Sequence, residues 1–393
     1  MDLGLPKSRP RPTHSPSCPP LLAASGECCK EGCIASLGIP LLDMIANVTE
    51  AFLKRFSLEE DNSIQAGPQQ DGVYGALQKE CQVSYSAGGS AQNTIRIAQL
   101  MLRVPRATTV FGCIGKDHFG EILKVKGQSE GAKVVYQEHD VLPSGKCAVF
   151  ITKQNRSLCA DFGAAKHYTL DHLQRNWNCI EKASILYSPG YVVASCPEAV
   201  SAIARFASQN DKLFCLNLSA PYICTQFSQF LQNLMPYVDI CFGNLKEFLA
   251  FSENQDIQKG SAAKLAQAIA RLPMFNSSRN RTVVITQGDQ PTILATGTGD
   301  LLKEYPVIAV TKENIKDTCG AGDAFVGGFL SQVVLGQSLD LCIKCGHYAA
   351  SVVIQQTGTV IPDYQKFVDD WEIIRSSREL WNYKQTDSEK SLP

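Results

Sequence analysis

The sequence predicts an α/β protein with a mostly parallel central sheet covered by helices on both faces. Three observations carry that prediction. From Gly32 onward, short β-like runs alternate with helical patterns, the order that builds βαβ units. The glycine-rich and polar segments follow the strands, where such folds place their ligands. The composition, 44% apolar and 19% charged over 393 residues, is that of an ordinary globular chain with room for one large core or two modest ones.

In order, β-branched and apolar runs predict strands over 108–114, 133–137, 147–152, 183–187, 212–218, 240–243, 282–287 and 292–295. Longer stretches with an apolar stripe predict helices over 93–102, 119–129, 196–208, 226–234, 261–271, 321–334 and 339–354. Residues 1–30 form a Pro-, Ser- and Arg-rich extension without periodicity, expected to be disordered. Its cluster Lys7-Ser-Arg-Pro-Arg-Pro12 is a poor nuclear-import signal, its three cations being diluted by prolines. Residues 31–365 form the folded domain, and 366–393 a charged tail whose order the sequence leaves open.

A formal net charge of −1 offers no electrostatic case for nucleic acid or a membrane. No apolar segment approaches the ~18–20 residues that span a bilayer. The 16 cysteines are scattered, and many lie in apolar runs, as Cys113, Cys215 and Cys241 do. With no signal-like N-terminus, a reducing compartment is expected, the cytoplasm, with the nucleus left open. Cys342-x-x-Cys345 lacks the second ligand pair of a zinc site and reads as packed thiols on a helix. No chemistry is read into Cys28, Cys29 and Cys33.

The most informative stretch is Asp317-Thr-Cys-Gly-Ala-Gly-Asp-Ala-Phe325. A helix beginning near Gly320 presents unpaired N–H groups and a positive dipole end there. Gly320 and Gly322, with Ala321 between them, leave that end open to an anion. Asp323 then stands in the first turn, where a carboxylate repels a bound phosphate. Its presence makes sense as the acceptor of a proton from a hydroxyl that attacks a phosphoryl group. The competing reading is a glycine-rich turn with an ordinary first-turn Asp.

Four further segments carry weaker signals. Ser86-Ala-Gly-Gly-Ser-Ala-Gln-Asn-Thr94 precedes a helix starting near Asn93; it suits a polyhydroxylated ligand, or caps the helix through Ser90 or Asn93. Asp43, just past the carboxyl end of a short apolar strand, is a ribose acceptor or a turn aspartate. Asn244 and Glu247, three apart at a strand-to-helix junction, are hard ligands that steer Mg²⁺ or a capping-box pair. The turn at Gln287 and Gly288 lines a nucleotide, and Arg156 clamps phosphate charge or is a surface cation. The chain lacks a Gly-x-x-x-x-Gly-Lys-Ser/Thr loop, a Gly-x-Gly-x-x-Gly turn after a strand and a Gly-x-Ser-x-Gly elbow.

Taken in order, these segments resemble the ribokinase (PfkB) family of carbohydrate and nucleoside kinases. Gly88-Gly89-x-x-x-Asn93 resembles its first signature and Asp317-Thr-Cys-Gly-Ala-Gly-Asp323 its second, with Asn244-x-x-Glu247 between. Gly38-Ile-Pro-Leu-Leu-Asp43, Phe111-Gly-Cys-Ile-Gly115, Asn155-Arg-Ser-Leu158, Leu216-Asn-Leu-Ser-Ala-Pro221, Met235-Pro-Tyr-Val-Asp239 and Gly346-His-Tyr-Ala-Ala-Ser-Val352 narrow it to the family's adenosine kinases, over roughly 32–363. The resemblance implies a ribokinase-like sheet with a small β-rich lid from parts of about 43–66 and 135–168. It implies transfer of phosphate from ATP to the 5′-hydroxyl of adenosine, with Mg²⁺, by a monomer. It further implies Asp323 as base; Gly320, Ala321 and Gly322 as anion hole; and Asp43, Gly89, Ser90 and Asn93 around the ribose. Tyr191 would lie against adenine, Arg156 near phosphate, Asn244 and Glu247 at the metal, and Thr318, Asn244, Gln287 and Gly288 around ATP.

The sequence departs from that pattern at three places. Position 39 is Ile where these kinases usually carry Asn, Cys319 replaces a common Asn, and both termini extend past the matching core. Two rivals therefore stand beside the adenosine kinase reading: a related sugar or nucleoside kinase of altered specificity, and a non-catalytic nucleoside-binding homologue.

Overall fold

The computed structural model describes residues 29–376 except 61, 153, 154, 254, 256, 258, 259 and 298–300, and the backbone alone at 63 and 155. The expected N-terminal extension lies outside the described residues except for Cys29 and Lys30, as do residues 377–393 of the tail.

Along the chain the strands are β1 (Ile34–Leu37), β2 (Leu41–Asn47), β3 (Ser63–Gln65), β4 (Ser84–Gly88), β5 (Thr108–Gly115), β6 (Lys133–His139) and β7 (Lys146–Thr152). They continue as β8 (Asn155–Asp161), β9 (Ile185–Pro189), β10 (Leu213–Asn217), β11 (Ile240–Asn244), β12 (Thr282–Gln287), β13 (Gln290–Thr296) and β14 (Leu302–Tyr305). Among the described residues, nine strands form one sheet in the order β14-β13-β12-β11-β10-β9-β1-β5-β6. It is parallel from β12 to β6, with β13 and β14 added antiparallel at one edge. The chain leaves β1 toward β5 and β6, then returns at β9 to build β10, β11 and β12 on the other side. A crevice opens at the carboxyl ends beside such a switch point.

Every residue of β5 is buried, as a strand covered on both faces requires. One face packs on the helices Pro197–Gln209 and Ala262–Ala270. The other packs on Ser90–Leu102, Ala321–Val334 and Leu339–Val353. Phe242 of β11 meets Phe329 edge-on, with ring centroids 5.1 Å apart, and this pins Ala321–Val334 to the sheet. Cys342 and Cys345 are buried thiols of Leu339–Val353.

The remaining strands form a second sheet, β3-β8-β7-β2-β4. Its outer face has a core of its own, where Met44 and Phe150 of the sheet cluster with Phe52 of helix Glu50–Arg55 and Leu77 of helix Val73–Glu80. Its inner face carries Ile45, Cys147 and Val149 and roofs the crevice. This lid is wider than parts of 43–66 and 135–168. Helix Val73–Glu80 and β4 belong to it, because β4 pairs antiparallel with β2. Residues 133–139 instead extend the large sheet by pairing with β5.

The folded part also runs past residue 365. Helix Tyr364–Ser376 buries Phe367, Val368 and Trp371, and the Tyr348 ring stacks on Phe367 and Trp371 at 5.1 and 5.8 Å. The apolar spacing 367, 368, 371 is that of a helix with one core-facing stripe.

Candidate active site

Helix Ala321–Val334 begins as the sequence predicts, with Gly320 as N-cap at φ 75°. That left-handed conformation favours glycine, and a Cβ here would come within 1.9 Å of Thr359 Oγ1. Nothing lies within 4 Å of where a Cβ of Gly322 would be, so the helix head opens onto the crevice. Ala321 N donates to the Thr318 carbonyl at 3.2 Å, and the next first-turn N–H groups, of Gly322 and Asp323, have no intrahelical acceptor and offer an anion site.

Asp323, in that first turn, is held from across the crevice. Ser90 Oγ donates to Oδ1 at 2.6 Å and Asn93 Nδ2 to Oδ2 at 3.0 Å. Burial raises its pKa above the usual carboxylate range, and the Ser90 and Asn93 hydrogen bonds pull it back. Ser90 and Asn93 reach it from one face of a helix that starts at Ser90, three residues before the predicted start. Asn93 is therefore a helical residue and not a cap. The start is set by Gly89 at φ 94°, where a Cβ would meet the Ile39 carbonyl oxygen at 2.4 Å.

Asp43 is not in a turn past a strand. Only three residues, 38–40, separate β1 from β2, and Asp43 lies within β2 on the lid. Its carboxylate packs over the neighbouring strand at Gly88, where a Cβ would stand 2.3 Å from Oδ2. Burial, then the charges of Asp317 and Asp323, push its pKa up to about 7 against the pull of Arg156 and Arg96. A ligand that donates two hydroxyl protons to this carboxylate would relieve that desolvation.

Asn244 and Glu247 form the capping box anticipated as their plainer reading. Glu247 N donates to Asn244 Oδ1 at 3.0 Å, Asn244 N to Glu247 Oε2 at 2.8 Å, and Asn244 Nδ2 to Glu247 Oε1 at 2.6 Å. Both residues also line the crevice. Burial lifts the Glu247 pKa to about 7, offset by the Asn244 N–H and increased by the Asp323 charge. A cation nearby would restore its charged form. Among the described residues, no cluster of three or more His, Cys, Asp or Glu side chains converges to hold a metal. The donor set therefore fits Mg²⁺ carried in on phosphates and waters, with Glu247 as an outer partner.

Arg156 of β8 points inward, its Nε 2.7 Å from Asp317 Oδ1 in a buried pair. Asp317 also accepts from Cys319 N at 2.7 Å and Gly358 N at 2.6 Å. Tyr191, at the end of β9, donates to the Ser219 carbonyl at 3.0 Å, and its ring lies 6.4 Å from that of Tyr222. Thr318 is exposed at the rim.

These groups line one cavity of about 530 Å³ between the sheet and the lid. Asp43, Gly89, Ser90, Asn93, Arg156 and Tyr191 meet there with Asn244, Glu247, Thr318, Gly320, Gly322 and Asp323. Ala321, Gln287 and Gly288 are not on its wall. Gln287 Nε2 turns back onto the Pro291 carbonyl at 2.6 Å, and Thr286 is the part of that strand end that reaches the cavity. Sequence reasoning missed the aromatic wall formed by Tyr222 and Phe162, and missed Thr359. Tyr222 follows directly on Leu216-Asn-Leu-Ser-Ala-Pro221, so a strand-end aromatic was there to be noticed. Ile39 is only 6% exposed, yet its side chain forms part of the cavity wall.

A family model described as pfkB family carbohydrate kinase matches residues 58–366. The chain is 39% identical over 339 residues to adenosine kinase 2 of Arabidopsis thaliana, covering 86% of this chain and 98% of the relative. Among solved structures, Anopheles gambiae adenosine kinase in complex with P1,P4-di(adenosine-5) tetraphosphate matches with a TM-score of 0.81 at 37% identity, over 84% of this chain and 97% of that one. Schistosoma mansoni adenosine kinase in complex with 2-fluoroadenosine matches with a TM-score of 0.82 at 30% identity, over 86% and 99%.

Proposed function

The chain belongs to the pfkB family of carbohydrate kinases, and from this premise we infer that it is an adenosine kinase, converting ATP and adenosine to ADP and AMP. The observation that carries the reading is Asp323, set in the first turn of an open helix and oriented by Ser90 and Asn93. The 5′-oxygen of the nucleoside attacks the terminal phosphorus, the bond to the ADP leaving oxygen breaks, and the hydroxyl proton passes to Asp323. The amides that follow Gly320 stabilise negative charge on the transferred group. Asp43, Gly89, Ser90 and Asn93 serve the ribose. Tyr191, with Tyr222 beside it, offers adenine an aromatic face. Arg156, on the lid, brings positive charge toward the phosphates as the lid closes and excludes water. Mg²⁺, steered by Glu247 and Asn244, neutralises phosphate charge when bound. ATP lies along the carboxyl edge of the large sheet, past Thr318 and the Thr286–Gln287 strand end with Gly288.

Among the described residues no helix is long and apolar enough to cross a membrane. The reading carries with it a cytoplasmic monomer, the nucleus being left open. Thiols kept free in the core, such as Cys113, Cys215 and Cys241, support a reducing compartment.

The direct test offers purified protein Mg-ATP with adenosine, other nucleosides or ribose, and follows ADP release. Adenosine-dependent turnover is the expected result. Turnover confined to another acceptor would mark a kinase of altered specificity, and saturable adenosine binding without turnover would mark a binding protein. Ile39→Asn is expected to tighten adenosine by about tenfold, the scale of one hydrogen bond to a buried group. Titration calorimetry with adenosine checks this, and an unchanged affinity would mean that position 39 does not reach the ribose.

A further inference from the structure

Arg96 lies one turn beyond Asn93 on helix Ser90–Leu102 and is 3% exposed. Its guanidinium donates to Asn93 Oδ1 at 3.5 Å, to the Ala87 carbonyl at 3.2 Å and to the Thr359 carbonyl at 3.3 Å. It also grips Glu130 through Nε and, at 3.0 Å, through Nη2. Burial would raise the Glu130 pKa, but the hydrogen bonds and charges of Arg96 and Lys126 hold it below the usual range. The buried cation is thereby neutralised at its outer end, and its inner end is free to organise carbonyl oxygens.

An arginine has donors and no acceptor, and an ionised carboxylate has acceptors and no donor. The Asn93 amide sits between one of each, Arg96 on one side and Asp323 on the other. Its oxygen must face Arg96 and its nitrogen must face Asp323. The flipped amide would set N–H against guanidinium and oxygen against carboxylate. Asn93 is buried, so solvent cannot rescue that arrangement. The Thr359 contact reaches the same site by a second route, because Thr359 Oγ1 packs against the Gly320 position at the helix head.

We propose that Arg96 is a positioning residue for phosphoryl transfer: it holds the Asn93 amide in the orientation that donates to Asp323, and it anchors Thr359 over the start of the anion-binding helix. The proposal rests on the reading of Asp323 as the base. The charged and titratable groups facing Asp323 from the surrounding elements are Asp43 of β2, Glu247, Tyr187 and Tyr191. None of these is a cation. Arg96 and Arg156 act one step back, on Asp43, beside Asp317. Ser90 and Asn93 are therefore the donors that oppose the upward pull of burial on the base, and Arg96 governs one of them.

The test measures kcat/KM for adenosine against pH in wild type, Arg96→Met, Asn93→Ala and the double variant, with thermal unfolding alongside. Arg96→Met is expected to move the acid limb upward by about one pH unit, the scale of losing one hydrogen-bond donor to the carboxylate. Activity then falls about tenfold below the limb and recovers to within a few-fold above it. In the Asn93→Ala background the same substitution is expected to move the limb much less. A uniform fall at every pH, as loosened packing produces, would overturn the proposal. So would a shift of equal size in both backgrounds, which would trace to the lost charge near Asp43. If Arg96→Met does not fold, Arg96→Gln fills the site with an amide that can face Asn93 as donor or acceptor and so imposes no orientation, and an unmoved limb there overturns the proposal equally. Asp323→Asn is assayed beside them. If it turns over normally, the base assignment fails; if it is inactive while Arg96→Met leaves the limb in place, only the positioning role fails.

Discussion

Asp323→Ala lowers turnover by roughly 10²–10⁴-fold or more while leaving adenosine affinity within a few-fold. The separation follows from where Asp323 stands. In the proposed reading adenosine is held by Asp43 on the lid, by Gly89 and Ser90 at the helix start and by the Tyr191–Tyr222 wall, and the substitution removes none of these cavity-lining groups. The proton acceptor does not. Asp43 and Glu247 are the other carboxylates facing it; Glu247 is engaged in the Asn244 capping box, and Asp43 is the group assigned to the ribose. Removing the charge also removes the repulsion between this carboxylate and a bound phosphate, so ATP binds as tightly as before or tighter. Single-turnover kinetics for the chemical step, with calorimetry for each ligand, distinguishes this from a structural lesion, which weakens both ligands together. Near-normal turnover in the variant would remove Asp323 from the mechanism.

What the sequence made legible here was local. β12 and helix Ala321–Val334 fall where periodicity puts them, because each is a continuous run between clear breaks. Asp323 stood out because a carboxylate in a glycine-rich helix start sits badly with simple anion binding, but its partners Ser90 and Asn93, more than 200 residues away, have no local signature. Asp43 was misplaced because the chain passes from the large sheet to the lid within three residues, 38–40, with apolar residues on both sides. The early start at Ser90 depends on Gly89 approaching the Ile39 carbonyl, a tertiary contact without a local signature. The same holds for Arg281, which is fully buried and donates to five backbone carbonyls, among them Met235 at 2.6 Å and Leu272 at 2.8 Å. Arg156 is the sharpest case. Of its two readings the surface cation is excluded, and neither reading foresaw the buried pair with Asp317, a residue far away in sequence.

That pair sets the second large effect. Asp317→Ala is expected to destabilise the protein by more than about 3 kcal/mol, because it removes the carboxylate paired with a buried guanidinium. The loss is wider than one ion pair. The carboxylate also accepts the N–H groups of Cys319 and Gly358, and each costs about 1–3 kcal/mol if left unsatisfied. Asp317 thus ties three segments at one point: strand β8 of the lid, the loop entering the catalytic helix, and the turn whose Thr359 packs on Gly320. Its removal should therefore raise KM for both substrates as well as lower the melting temperature, since lid and helix head lose their common anchor. A double-mutant cycle with Arg156→Ala separates the contributions. If the charge pair dominates, the double variant is more stable than the sum of the single losses predicts, by about 1–3 kcal/mol, because no uncompensated cation remains. If the two losses simply add, Asp317 acts through its two backbone N–H groups, and the lid is held by other contacts.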